Sequence, residues 1–368
     1  MSVSNALTWV LERHQPEGVA APLFAEGPVI VWAPEPDPEP LLVLQRHGSQ
    51  RALELVVTFK PDAEVLAAAG VMTVREPTVM DAAGAVVVVT RHREQTLVHL
   101  ADALARTRPG GAVLVAGANA LGASWYEGRL EDAGFELEVE SKAKCRVARL
   151  RRPEVLPPLV AEWAALAVPT EVEGTPLATC PGHFSAGRID PGSALLAKVV
   201  PPLSGQVGDF GCGWGFLTWS VLQKGRELTA LHLVDADASA LRLAEERLRA
   251  PVAALGIPLT ATWADCRKRP PELPFLHAIV TNPPFHQGDR QTLSVGLDFV
   301  TAAADTLRQN GRLYLVALRN LPYEDALNSA FGTVRMAADD GAYRVWDARD
   351  PISEKARAAR LQRQKRTR

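Results

Sequence analysis

VGDFGCGWG, residues 207–215, sets three glycines at alternate positions between an apolar strand and a helix beginning near Leu217. Gly211, Gly213 and Gly215 can take positive φ and let a ligand come within contact distance of the backbone. The spacing differs from the dinucleotide fingerprint, which needs glycine at position 216, where Phe216 stands. No Gly-Lys-Ser or Gly-Lys-Thr is present, so a P-loop is excluded. A strand, a glycine turn and a helix in that order open an α/β unit, and the strands that follow extend it.

Moving outward, residues 231–234 form the next strand and end at Asp235, 24 positions after Gly211. A carboxylate there is placed to accept both hydroxyls of a ribose. Asp265 follows a third strand over 259–263 and is placed to accept from an adenine amino group. A fourth strand, 277–280, stops at Asn282-Pro283-Pro284-Phe285 within AIVTNPPFHQG (278–288). Two consecutive prolines donate no N–H and fix φ, so the strand ends and the turn is stiff and extended. Asn282 and the Pro283 carbonyl become fixed acceptors beside the flat face of Phe285, an arrangement suited to a planar –NH2 group. Taken singly, each acid is also a common helix N-cap, and the turn is a proline-rich turn. Their order at successive strand ends points to one site, because open α/β sheets bind ligands along that edge.

The 368 residues suggest about two domains. A hydrophobic content of 47% and a charged content of 22% are those of a soluble globular protein. Forty Lys plus Arg against 42 Asp plus Glu leave no global basic field, so any basic surface is local. Cys145, Cys180, Cys212 and Cys266 have no metal-ligand spacing and read as reduced, mostly buried thiols of a cytoplasmic protein; no metal is expected. The start, MSVSNALTWVLERHQ, has no signal-peptide pattern, and no apolar run would span a membrane.

The first half also alternates strands and helices: strands at 28–33, 53–59, 85–90 and 111–116, helices at 63–69 and 94–107. Its first strand leads into APEPDPEP (33–40), an acidic loop with few free N–H groups that cannot cradle a phosphate or nucleotide. Prolines at 153, 157, 158, 169 and 176 bracket one short helix over 159–166, an expected interdomain connection. The series from AVVVVT (85–90) to CRVARL (145–150) is matched by that from HAIVT (277–281) to YRVWDAR (343–349). Thr90 to Gly111 is 21 positions and Thr281 to Gly311 is 30, so nine extra residues fall where the second series carries NPPFHQGDRQT. An internal repeat is expected, with the loop that carries the chemistry in the second copy alone.

The glycine loop, Asp235, Asp265 and NPPF together resemble the class I S-adenosylmethionine-dependent methyltransferases over about residues 180–350. NPPF is similar to the branch that methylates exocyclic or amide nitrogens. With GHFSAGRIDPGSALL (182–196) and a degenerate N-terminal copy, the chain resembles the bacterial ribosomal RNA guanine-N2 methyltransferases. Within that family the match is to the branch acting on 16S RNA, ahead of its 23S sister. The resemblance implies an α/β fold of two tandem Rossmann-like class I methyltransferase domains. Each carries a mostly parallel sheet, seven-stranded with a late antiparallel strand, and the N-terminal copy is degenerate. The division expected is a copy without cofactor site over 1–152, a linker over 153–179, a catalytic domain over 180–352 and a basic tail over 353–368. The resemblance further implies S-adenosyl-L-methionine as cofactor and ribosomal RNA or the small ribosomal subunit as partner. Asp209, Gly211, Gly213 and Gly215 would hold the cofactor's methionine end, Asp235 its ribose and Asp265 its adenine. Asn282, Pro283 and Phe285 would hold the target base, while Asp190 and Gly192-Ser193 close over the cofactor.

On that reading Asn282 Oδ1 and the Pro283 carbonyl accept the two hydrogens of guanine N2. They favour a pyramidal nitrogen and stabilise the charge that develops on it, so no side-chain base is assigned. Phe285 stacks on an extruded base, and His286 is a phosphate or sugar contact or a turn cap. The tail EKARAARLQRQKRTR (354–368), with seven Lys/Arg against one acid, reads as an RNA-phosphate arm or a frayed terminus. The first copy is expected to bind no cofactor, to pack on or assist the catalytic half, and the chain to be a monomer. The competing readings are the same chemistry on 23S RNA, methylation of adenine-N6 or a glutamine amide, and a silent ribosomal RNA-binding assembly factor.

Overall fold

The computed structural model describes residues 2–14, 23–46, 52–284 and 290–357. The chain divides into two compact units, Met1–Pro169 with Cys180–Gly182, and Thr170–Thr179 with His183–Arg368. The first unit runs α1 (Val3–His14), β1 (Val29–Trp32), α2 (Glu39–Arg46), β2 (Leu53–Val56), α3 (Lys60–Ala68), β3 (Ala82–Val88) and α4 (Arg93–Arg106). It continues through β4 (Thr107–Ala118), α5 (Ala123–Asp132), β5 (Glu138–Lys142), β6 (Cys145–Arg151) and α6 (Pro158–Ala165). Its sheet order is β2-β1-β3-β4-β6-β5, with β1 to β4 parallel and β6 antiparallel to both neighbours. β3 is buried at every position, as a central parallel strand covered on both faces must be.

The linker expected over 153–179 is divided between the units. Pro158 stands at the start of α6, where a missing N–H costs no helical bond, and Val160 and Trp163 bury in the first unit's core. Beyond it, β7 (Thr170–Glu171) and β8 (Ala178–Thr179) form a small hairpin whose Val172 and Leu177 join the second unit's core.

The second unit then runs α7 (Pro191–Val199), β9 (Gly205–Phe210), α8 (Phe216–Lys224), β10 (Leu228–Asp235), α9 (Ala238–Ala253), β11 (Leu259–Trp263) and β12 (Leu276–Thr281). It ends with α10 (Arg290–Thr306), β13 (Leu307–Leu318), α11 (Tyr323–Ala330), β14 (Phe331–Asp339) and β15 (Tyr343–Pro351). The seven strands lie in the order β11-β10-β9-β12-β13-β15-β14, parallel except for β15, which is antiparallel to both neighbours. Successive residues of β12 serve opposite faces: Ile279 enters one hydrophobic cluster and Val280 the other.

The repeat extends to a single turn. Between β3 and β4, Ala82 faces Thr107 and then Gly84 faces Ala112; between β12 and β13, Leu276 faces Leu307 and then Ala278 faces Arg312. In both turns a residue with positive φ, Gly110 or Asn310, precedes a glycine. A Cβ on Gly111 or Gly311 would lie 2.9 or 2.7 Å from the carbonyl of Arg108 or Arg308. This register matches Thr281 with Val87, not Thr90, so the spans to be compared are 111 − 87 = 24 and 311 − 281 = 30 positions. The insertion is therefore six residues, not nine.

The first sheet has six strands where seven were expected. The counterpart of β11 is reduced to one parallel bridge, Val56 to Val74. The buried Glu54 carboxylate accepts from Thr78 N, Thr78 Oγ1 and Val79 N, so a side chain occupies amides that a ladder would use. Among the described residues, no helix is long and apolar enough to cross a membrane, and no group of three or more His, Cys, Asp or Glu could hold a metal ion. Of the basic tail, Arg357 pairs with Asp305 at 2.7 and 2.8 Å; residues 358–368 lie outside the described residues.

Candidate active site

Four strand ends line one edge of the second sheet. Trp263 faces Asp235, Val234 faces Phe210, and Phe210 faces Thr281. Asp265, Asp235, the glycine loop and Asn282 therefore follow one another along the carboxyl edge in the order β11, β10, β9, β12, the place where an open α/β sheet binds an extended ligand.

The glycine loop needs its glycines. Gly211, Gly213 and Gly215 have φ of 70°, 51° and 91°, a region that costs an L side chain about 1–2 kcal/mol. Gly211 N donates to Val234 O at 2.9 Å, and Gly213 N donates to Asp235 Oδ2 at 2.6 Å. Asp235 Oδ1 accepts from Asp237 N at 2.7 Å, so this acid ties the loop to the end of β10. Burial lifts Asp235 to about 6, although the residue keeps some contact with solvent. A Cβ on Gly215 would strike Leu248, whereas one on Gly213 would meet nothing within 4 Å, leaving open space against the backbone there.

Asp209 is buried at the end of β9. Its Oδ2 accepts from Thr218 N at 2.9 Å and Thr218 Oγ1 at 2.7 Å, while Oδ1 has no partner among the described residues. Burial pushes this carboxyl up to about 7, against the opposing pull of the Thr218 hydrogen bonds. A buried carboxylate oxygen without a donor suits a cationic group, as the ammonium of a methionine moiety is.

Asp265 is placed differently from the free acceptor expected. Arg267 donates to it from N at 3.0 Å and from Nε at 2.9 and 2.8 Å. Burial raises this carboxyl, but the hydrogen bonds and charge of Arg267 outweigh it, and the group sits below its ordinary value.

At the end of β12, Thr281 Oγ1 donates to Phe210 O at 2.7 Å and pins the strand before its turn. Asn282 Nδ2 donates to Asp190 Oδ1 at 2.9 Å and to Ser193 Oγ at 2.8 Å, while Asn282 Oδ1 is buried without a partner among the described residues. Asp190 is the N-cap of α7 and accepts from Ser193 N at 2.8 Å. Pro283 is buried and Pro284 exposed; Phe285 and His286 lie outside the described residues. The structure thus brings Asp190 and Ser193 against Asn282. The sequence reading missed Thr218 and Arg267; the Asp-Pro-x-Ser pattern of 190–193 signals a helix start but not the contact of its cap with Asn282.

A solved 16S rRNA N2 methyltransferase (RsmC) of T. thermophilus, in complex with AdoMet and guanosine, superposes with a TM-score of 0.73 and 25% identity, covering 95% of this chain and 91% of that one. This chain has the class I methyltransferase fold. The methyltransferase small domain family matches residues 174–347 of it, just under half of the chain. Ribosomal RNA small subunit methyltransferase C of Hahella chejuensis is 34% identical over 57% of this chain and 60% of its own length. Its counterpart in Psychromonas ingrahamii is 29% identical over 69% of this chain and 72% of its own length. The chain therefore spans less than two thirds of the first of these relatives. Within this class I methyltransferase fold, the family match falls on the second unit except at Cys180–Gly182, and the second unit holds every candidate site residue.

Proposed function

We propose that the chain transfers a methyl group from S-adenosylmethionine to the exocyclic N2 of a guanosine in 16S ribosomal RNA. The observation that carries this reading is Asn282, whose buried Oδ1 finds no donor among the described residues and lies on the same sheet edge as the glycine loop. An acceptor in that state suits an amino group, since a desolvated oxygen gains a full hydrogen bond when a donor arrives. S-adenosylmethionine, when bound, supplies the electrophilic methyl group. The residues that would hold it are Asp209 and the loop of Gly211, Gly213 and Gly215 at one end and Asp235 beyond. Asp265 would share its carboxylate with Arg267. Asn282 Oδ1 and the Pro283 carbonyl hold the target –NH2, orient its lone pair and stabilise the positive charge that grows on nitrogen. The proton leaves to solvent, so the chain supplies no side-chain base.

The choice of guanine and of 16S RNA is supported by the similarity to the RsmC protein solved with guanosine and to the small subunit methyltransferases C. The first unit would assist the second or the RNA without binding cofactor, and the basic tail would contact phosphate. Labelled-methyl transfer to purified small subunits, large subunits and free RNAs tests the reading. Label in 16S guanosine N2 is the expected result. Label confined to 23S RNA or to protein overturns the substrate, and no transfer to any of them overturns the activity.

A further inference from the structure

We infer that Asp190 and Ser193 are positioning residues that determine which way the Asn282 side-chain amide faces. This deepens the amino-group clamp and rests on it. A carboxamide has an oxygen and a nitrogen of nearly equal size, so packing alone does not choose between its two orientations. The clamp works in one of them only: turned over, Nδ2 would confront the target –NH2 donor to donor.

The choice is made by fixed acceptors. Asp190 Oδ1 already accepts from Ser193 N, so the Asn282 atom 2.9 Å from it has to be Nδ2. Ser193 Oγ takes the second Nδ2 hydrogen at 2.8 Å. With both hydrogens held, Oδ1 is the free end. In the reversed orientation Oδ1 would lie against the Asp190 carboxylate, two acceptors with no proton between them.

The support is itself held. Asp190 Oδ1 accepts from Ser193 N at 2.8 Å as the cap of α7, and Pro191 stands in the first turn. A Cβ on Gly192 would lie 2.9 Å from the Tyr343 ring and 3.2 Å from Asp190 Oδ1, so the glycine lets ring and carboxylate close on the backbone. One oxygen, Asp190 Oδ1, therefore serves both the cap of α7 and the contact with Asn282.

The test uses the full chain, S-adenosylmethionine and purified small subunits. Asp190→Ser keeps a capping side chain but withdraws the carboxylate oxygen from Asn282 Nδ2. It should lower kcat by about tenfold or more, while the calorimetric Kd for S-adenosylmethionine stays within about threefold of wild type. Asn282→Asp sets two carboxylates together and should be slower still. Adding Asp190→Ser to it removes the opposing carboxylate and leaves the Ser193 hydroxyl to donate to one oxygen of the introduced carboxylate, with the other as acceptor, so the double variant should recover about tenfold or more over Asn282→Asp. The side-chain amide resonances of Asn282, assigned by their loss in Asn282→Asp, should shift and exchange faster in Asp190→Ser. That readout needs no substrate, so failure of the assigned reaction shows separately, as a wild type that transfers no methyl group. Unaltered amide resonances, an unchanged kcat in Asp190→Ser, a Kd that weakens as much as kcat falls, or a double variant no better than Asn282→Asp each overturn the inference.

Discussion

The two sheets share a topology but differ at the edge where a ligand binds, and their registers allow a position-by-position comparison. Trp32 faces Val87 and Val56 as Phe210 faces Thr281 and Val234. Counting from those pairs, Asp209 corresponds to Val31, Gly211 to Ala33, Gly213 to Glu35, Asp235 to Val57 and Asn282 to Val88. The backbone persists: Ala33 has positive φ and donates to Val56 O at 3.2 Å, as Gly211 does to Val234 O at 2.9 Å. Glu35, the counterpart of open Gly213, is filled with donors. It accepts from Val3 N at 3.3 Å, Ser4 N at 2.8 Å and Ser4 Oγ at 2.7 Å at the start of α1. In the first unit each edge position is apolar or satisfied from within the unit. In the second, Asp209 and Asn282 keep buried oxygens that no described residue satisfies. On the proposed function, capacity for chemistry follows those unsatisfied groups, since the fold is common to both.

The sharpest way to break this contrast is Asn282→Ala. Methyl transfer should fall on the order of 10²–10³, the scale of one lost transition-state partner, with S-adenosylmethionine binding retained. Near wild-type turnover would show that the free oxygen is idle. Next comes Asp235→Val, which installs the first unit's residue. It strips the acceptor from Gly213 N and Asp237 N, so calorimetry should show S-adenosylmethionine affinity reduced by about ten- to a hundredfold.

A smaller effect concerns pH. Asp209 is raised to about 7 in the folded chain from an ordinary 3.8, so folding takes up a proton between those values. Its contribution is whole below the lower value and is lost as pH rises through the upper one. Thermal melts of the ligand-free chain should give a lower midpoint at about pH 8 than at about pH 6, and Asp209→Asn should shrink that difference. An equal drop in the variant would remove Asp209 as its source. The smallest effect belongs to the first unit. Glu35→Ala should destabilise it by about 1 kcal/mol, the scale of a lost cap. S-adenosylmethionine should still bind once per chain, and two sites per chain would erase the distinction between the units.

Most of the second unit's strands were legible because apolar runs alternate with helical spacing, and the glycine loop was legible because it stands in order with Asp235, Asp265 and NPPF at successive strand ends. The acidic Pro34–Pro40 loop was read, from its prolines and acids alone, as unable to cradle a phosphate or nucleotide. Other features were hidden because they depend on contacts distant in sequence. Asp190 lies 92 positions from Asn282, and nothing local announces their hydrogen bond. The proline-rich segment at 153–179 looked like a linker because prolines mark both loops and helix starts; burial of Val160, Trp163, Val172 and Leu177 decided between them. Repeat length was misjudged by three residues because matching threonines by eye ignores register, which hydrogen bonding alone defines.

Residue type and spacing by themselves determined the α/β class, the repeat, the ordered carboxyl-edge residues and the stiff turn after β12, because backbone preferences and binary pattern are local properties. Tertiary structure alone decided which polar groups at that edge are spent and which remain. Asp265 is paired with Arg267, Asp235 with the loop it anchors, and the Asn282 nitrogen with Asp190 and Ser193, while one oxygen of Asp209 and one of Asn282 have no partner among the described residues. Satisfaction of a hydrogen-bonding group depends on every atom around it, and those atoms come from segments that only folding brings together.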